Sequence, residues 1–196
     1  MSETVRVFVA LHLPEIQRRV LEVVIASLRE QGLINVRWVH PEGIHLTLKF
    51  LGDISESQLE LVSRAMTEAA GESAPFHLQL STLGVFPNLK RARILWCGAV
   101  DQLRDLSALQ ERMEGGLEAL GYPREARPFS LHITLGRVRD GNHPPDPALL
   151  QQALEACTPS GTEPWLVNEA CLMRTTPLPG GSRYDVIAKA KLRSQS

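Results

Sequence analysis

The chain opens with strict alternation. Val5, Val7, Val9, Leu11 and Leu13 fall on one parity, and Arg6, Phe8, Ala10 and His12 on the other. Successive side chains of a strand point to opposite faces, so the first set predicts a core face. Phe8 on the second face predicts either a strand buried on both sides or a groove lined by Phe8 and His12. Pro14 then opens a helix to Gln31, with Ile16, Val20, Val23, Val24 and Leu28 as its inward stripe and Gly32 as its stop. Val36 to His40 reads as a short strand and Pro41-Glu42-Gly43 as a turn. In the next strand, Ile44 to Leu51, the pattern sends Ile44, Leu46, Leu48 and Phe50 inward and His45, Thr47 and Lys49 to the opposite face.

The rest of the chain continues this interleaving. Ser55-Glu56-Ser57-Gln58 is a capping box for a helix reaching about Ala70. Phe76 to Phe86 and Ile94 to Val100 read as strands. Asp101 to Leu120 reads as a helix in which Gly115-Gly116 predicts a bend or close packing, because each glycine costs roughly 1 kcal/mol against alanine. Ser130 to Val138 is a strand, 139–147 a loop rich in Pro, Gly and Asp, and Pro147 to Ala156 a helix. Trp165 to Arg174 and Tyr184 to Leu192 are strands flanking a Pro-Gly-Gly turn, and the tail from Arg193 is expected to be loose. Helices alternate with hairpin-like strand pairs, which favours an α+β fold over a doubly wound sheet.

One pattern occurs twice. His45-Leu46-Thr47-Leu48 returns as His132-Ile133-Thr134-Leu135, 87 residues later and near half the length of the chain. That period is too long for a solenoid repeat. It predicts two similar lobes, each giving one strand to a shared groove, within a single domain over 1–196. On each strand His and Thr share a face.

The chemistry of such a quartet is specific. Imidazole serves as acid or base near neutrality. Of two histidines across a cleft, one takes a proton from an attacking oxygen while the other gives one to the leaving oxygen. Threonine hydroxyls donate to non-bridging phosphate oxygens, so the set suits phosphoryl transfer without metal or cofactor. Zinc ligation by the histidines lacks a third ligand of matching spacing and any His-Glu-x-x-His run. A hydrolase dyad through Ser130 lacks a Gly-x-Ser-x-Gly elbow. Arg37, Lys49, Arg127, Arg137 and Arg139 lie near the motifs, and Lys90, Arg91 and Arg93 form a second cluster. Alternation alone would put Arg137 on the core face. Gly136 permits a bulge that would turn it back toward the groove, where a guanidinium binds phosphate bidentately.

Composition narrows this little. The chain has 196 residues, 43% of them hydrophobic and 22% charged, and a formal net charge of −1. No global field draws in a polyanion, so any such affinity rests on a local patch. Three widely spaced cysteines suggest neither a disulfide framework nor a zinc site and fit a reducing compartment. No stretch reads as a signal peptide or membrane span. A cytoplasmic, soluble monomer is the expectation.

The segments His45-Leu-Thr-Leu-Lys-Phe-Leu-Gly52 and Arg127-Pro-Phe-Ser-Leu-His-Ile-Thr-Leu-Gly-Arg137 resemble the motifs of the 2H phosphoesterase superfamily. The nearest branch is its RNA 2′,3′-cyclic phosphodiesterases, historically called 2′-5′ RNA ligases. Phe8-Val-Ala10 with Pro14, Leu83-Gly-Val-Phe-Pro87 and Arg93-Ile-Leu-Trp96 carry the likeness further, to about residues 5–190. The resemblance implies a bilobal α+β fold of two pseudo-symmetric antiparallel lobes, with helices outside and the motifs in a central cleft. It also implies metal-independent opening of a 2′,3′-cyclic phosphate, on RNA or a cyclic nucleotide, to a 2′-phosphate, with ligation as the reverse reaction. His45 becomes the acid that protonates O3′, His132 the base that activates water, and Thr47 and Thr134 the phosphate donors. Arg137 matches the arginine that closes the second motif, and Phe8 an aromatic that contacts the base. The chain departs from the family at Leu131, where proline is frequent, and at Gly136, where alanine is common. Its C-terminal Ser, Gly, Tyr pattern appears here as Thr175, Gly181 and Tyr184.

Overall fold

The computed structural model describes residues 4–33, 35–101, 104–139, 144–159, 161–179 and 181–193. Residues 140–143 of the expected 139–147 loop, the middle of the Pro-Gly-Gly turn and the end of the tail lie outside them. The strands are β1 (Thr4–His12), β2 (Val36–Trp38), β3 (His45–Ser55), β4 (Phe76–Phe86), β5 (Ile94–Val100), β6 (Ile133–Val138), β7 (Trp165–Val167), β8 (Glu169–Leu178) and β9 (Gly181–Lys191). The helices are α1 (Glu15–Glu30), α2 (Leu59–Gly71), α3 (Asp105–Glu118) and α4 (Pro147–Cys157).

The strands pair antiparallel in the order β7-β4-β5-β6-β3-β1-β8-β9, with β2 added to β6. That order is symmetric about the β6–β3 junction: β6 answers to β3, β5 to β1 and β4 to β8. The two lobes therefore exchange strands, since β4 from the first half of the chain pairs with β5 and β8 from the second half pairs with β1. Helices α2 and α3 pack together behind β3, β8 and β9, while α1 and α4 pack together behind β4. The expected α+β, two-lobed architecture holds, built on one continuous curled sheet whose open face is the cleft.

The helix signals hold with local shifts. Ser55 and Gln58 form the capping box, and the first turn behind it is a short 3-10 segment. Gly116 meets the backbone carbonyl of Ala65 on α2, 3.6 Å from where its Cβ would lie, so the glycine pair serves close packing. The inward stripe of α1 is a correction. Val24 and Leu28 are buried as expected, but Ile16 and Val23 are 69% and 67% exposed, and Gln17, Leu21 and Ile25 are buried in their place. Apolar residues cover more than half the circumference of this helix, so periodicity left the orientation open. Gln17, on the buried face, donates from Nε2 to the carbonyl of Glu163.

The second correction lies inside the first motif. Opposite β1, Val9 pairs with Lys49 and Ala10 with Thr47, which leaves Leu48 as an extra residue. A bulge of one residue reverses the parity of everything after it. Lys49 therefore turns inward, fully buried, where its Nζ donates to Glu114 Oε2 at 2.5 Å and to the carbonyl of Pro123 at 2.7 Å. Phe50 turns outward and is 61% exposed.

Candidate active site

Strands β3 and β6 meet at the antiparallel pair Leu46–Ile133. The two side chains are buried. Antiparallel pairing at that point runs His45 toward Thr134 and Thr47 toward His132. All four line one cavity of about 470 Å³, with Arg137 and Phe8 in the same wall. The two histidines, the two threonines, Arg137 and Phe8 are thus brought to one place.

The imidazoles are fixed in the same way. Nδ1 of His45 lies 2.7 Å from the carbonyl of Gly43. Nδ1 of His132 lies 2.7 Å from the carbonyl of Ser130. A carbonyl only accepts, so each ring donates its Nδ1–H to the residue two positions earlier and keeps Nε2 as the free nitrogen. Their surroundings differ. His45 is packed between Phe8, with ring centroids 4.7 Å apart, and Tyr184, at 4.9 Å. Burial pushes its pKa down to about 4, against the opposing carbonyl hydrogen bond, with His12, Arg137 and His132 adding smaller repulsions. His132 meets the edge of Phe86 at 5.1 Å.

Arg137 reaches the cleft by the bulge expected at this point. Leu95 pairs with Gly136 and Trp96 with Thr134, so Leu135 is the extra residue. The glycine has its own reason: a Cβ at position 136 would lie 2.6 Å from Val36 Cγ1, because β2 crosses close above it. Phe8 is 2% exposed and forms, with Ala10, Cys171 and Met173, a small apolar floor beneath His45 and Tyr184. His12 does not line the cavity.

Of the basic residues near the motifs, Arg137 lines the cavity, Lys49 is buried, and Arg127 and Arg139 stand outside. The Lys90, Arg91 and Arg93 cluster is exposed and also outside. Arg6, Thr175, Ser182 and Tyr184 complete the rim, so the C-terminal pattern does reach the site. Among the described residues no acidic side chain lines the cavity, and the cationic lining suits an anion. Sequence reasoning missed Phe50 and Phe86. A signal for Phe50 existed, since it stands in the first motif where Arg137 stands in the second. The bulge invoked for one applies to the other.

The cysteines play no part. Cys97, Cys157 and Cys171 are free, and burial pushes the Cys97 and Cys171 thiols well above the ordinary range.

A curled sheet whose two halves each present His-x-Thr to one cation-lined cleft defines a two-lobed phosphoesterase. The family model described as LigT like Phosphoesterase matches the chain twice, over residues 11–96 and 99–184, each copy carrying one motif. The chain belongs to that family. The RNA 2′,3′-cyclic phosphodiesterase of Geobacillus stearothermophilus is 34% identical over 151 residues, 77% of this chain. The match spans about half of that relative, 46% of its length. A Thermus thermophilus protein of solved structure superposes with a TM-score of 0.79 at 29% identity, covering 97% of this chain and 100% of its own. E. coli LigT complexed with 3′-AMP gives 0.76 at 25% identity, covering 98% and 100%. Among the described residues no helix is long and apolar enough to cross a membrane.

Proposed function

We propose that this protein is a metal-independent RNA 2′,3′-cyclic phosphodiesterase that opens the cyclic ester to a 2′-phosphate. The observation that carries this reading is the matched pair of histidines, each tied through Nδ1 to a carbonyl two residues back and each offering Nε2 to a cavity without carboxylates. Thr47 and Thr134 donate to the two non-bridging oxygens. His132 takes a proton from water as the water oxygen bonds to phosphorus, and the P–O3′ bond breaks as His45 protonates O3′. One proton is taken and one given, so the pair ends with exchanged protonation states. Arg137 neutralises charge on the phosphoryl oxygens. Names of relatives and the nucleotide seen in E. coli LigT support a ribonucleotide substrate.

One observation favours the reverse order of roles. Burial makes His45 hold its proton weakly, which suits a base, and the acid role requires a bound phosphate anion to raise its affinity. Leaving-group substitution separates the two. A ribonucleotide whose bridging O3′ is replaced by sulfur needs no acid, so it restores turnover to the variant lacking the acid and not to the variant lacking the base. The proposal itself is tested by turnover of a short RNA with a cyclic phosphate end, in EDTA, by wild type, His45→Ala and His132→Ala. Turnover by the wild type alone supports it. Comparable turnover by either variant removes the two-histidine mechanism, and affinity without any turnover makes the protein an RNA-end binder.

A further inference from the structure

Beyond the catalytic cavity lies a second one of about 520 Å³, continuous with it through Val39, Gly43, Arg137, Ser182 and Tyr184. It contains Arg29, Arg37 and Arg137, and none of the described residues that line it is acidic. All three arginines are exposed, and among the described residues none takes part in an ion pair. Arg37 and Arg137 are direct partners across the β2–β6 ladder. Like charges directly opposite on antiparallel strands repel, and among the described residues this pair has no ion-pair partner to relieve it. Arg29 is held over the ring of Trp38, 5.9 Å from its centroid, which fixes that guanidinium along the groove wall. The whole chain carries a net charge of only −1, so the concentration of cation is local.

We infer that this groove binds the RNA strand on the 5′ side of the reacting phosphate, its backbone phosphates lying against Arg37 and Arg29, with Trp38 beside the bases. The inference rests on the cyclic-phosphate reading and extends it: the preferred substrate is an oligoribonucleotide end rather than a mononucleotide. A terminal nucleotide held by the quartet must pass its 5′ linkage out of the cleft, and the cationic exit past Arg137 is complementary to it. Guanidinium beside an aromatic ring is the usual surface for single-stranded nucleic acid.

Two substrates test this: a nucleoside 2′,3′-cyclic phosphate and a hexaribonucleotide ending in the same group. Wild type is expected to turn over the hexamer with the higher kcat/KM and with the steeper salt dependence. The Arg29→Ala/Arg37→Ala double variant should lower the hexamer-to-mononucleotide ratio of kcat/KM by about 10-fold and flatten the salt slope by roughly 0.7 per arginine. The Arg29→Lys/Arg37→Lys variant should keep most of the ratio. An unchanged ratio, or an equal loss on both substrates, overturns the groove. Anisotropy of a labelled hexamer ending in a 2′-phosphate reads binding without turnover. Weaker, less salt-dependent binding by the double variant supports the groove even if the reaction is misassigned, and equal binding overturns it. Failure of wild type to process either substrate removes the cyclic-phosphate reading alone.

Discussion

Phe50 and Arg137 occupy the same position in the two halves of the molecule, 87 residues apart, as His45 and His132 do. Each is turned into the cleft by a one-residue bulge, at Leu48 in one strand and Leu135 in the other. The duplication thus lines the cleft with a symmetric core of two histidines and two threonines, and breaks the symmetry with one aromatic and one cationic residue. For the proposed reaction, that difference would give a nearly two-fold site a direction in which to bind an unsymmetrical substrate.

Phe50 is the exposed aromatic of the cleft, and Phe8, 6.0 Å from it, lies beneath. Stacking of a base on an aromatic face contributes about 1–3 kcal/mol. Phe50→Ala should raise KM for a nucleoside 2′,3′-cyclic phosphate by about 10-fold, with Phe50→Trp restoring it. Steady-state kinetics on the nucleoside substrate and on a base-free ribose cyclic phosphate check this, because a lost stack reduces the preference for the former.

The pH dependence of stability follows from His45. Its pKa is about 4 in the folded chain against 6.5 ordinarily, so the unfolded chain binds more protons between these values. The contribution is complete above 6.5 and is lost as pH falls toward 4, by up to about 3 kcal/mol. In His45→Gln this component disappears. Urea midpoints at pH 7 and pH 4.5 should differ less in the variant than in wild type.

Lys49 is paired with Glu114 in the interior, and Gln110 Nε2 donates to the same carboxylate at 3.0 Å. Lys49→Met leaves that carboxylate buried without its cation, which costs about 3–5 kcal/mol. Lys49→Met combined with Glu114→Leu should recover much of the loss, as chemical denaturation will show.

Gly136→Ala should destabilise by about 1–3 kcal/mol through the contact with Val36. Val36→Ala opens that space, so the double variant should be less destabilised than the sum of the singles. A double-mutant cycle in Tm or urea midpoint measures the coupling.

The sequence made the quartet legible because parity on a strand is local: His45 with Thr47, and His132 with Thr134, needed no tertiary information. The strand order was beyond it, since β4–β5 and β8–β1 pairings exchange elements between the halves. The face of α1 was open because Leu21 and Ile25 were as apolar as Ile16 and Val23. Lys49 and Phe50 were misplaced because a bulge is set by the partner strand, and nothing within residues 44–51 records the count on β1.

The most direct test of the reaction is the identity of its product. A short RNA ending in a 2′,3′-cyclic phosphate, incubated with the protein in EDTA and resolved by mass and by 2′/3′-specific mobility, should yield a 2′-phosphate. A 3′-phosphate would contradict departure of O3′ and with it the assignment of the acid. No product would contradict the phosphodiesterase itself.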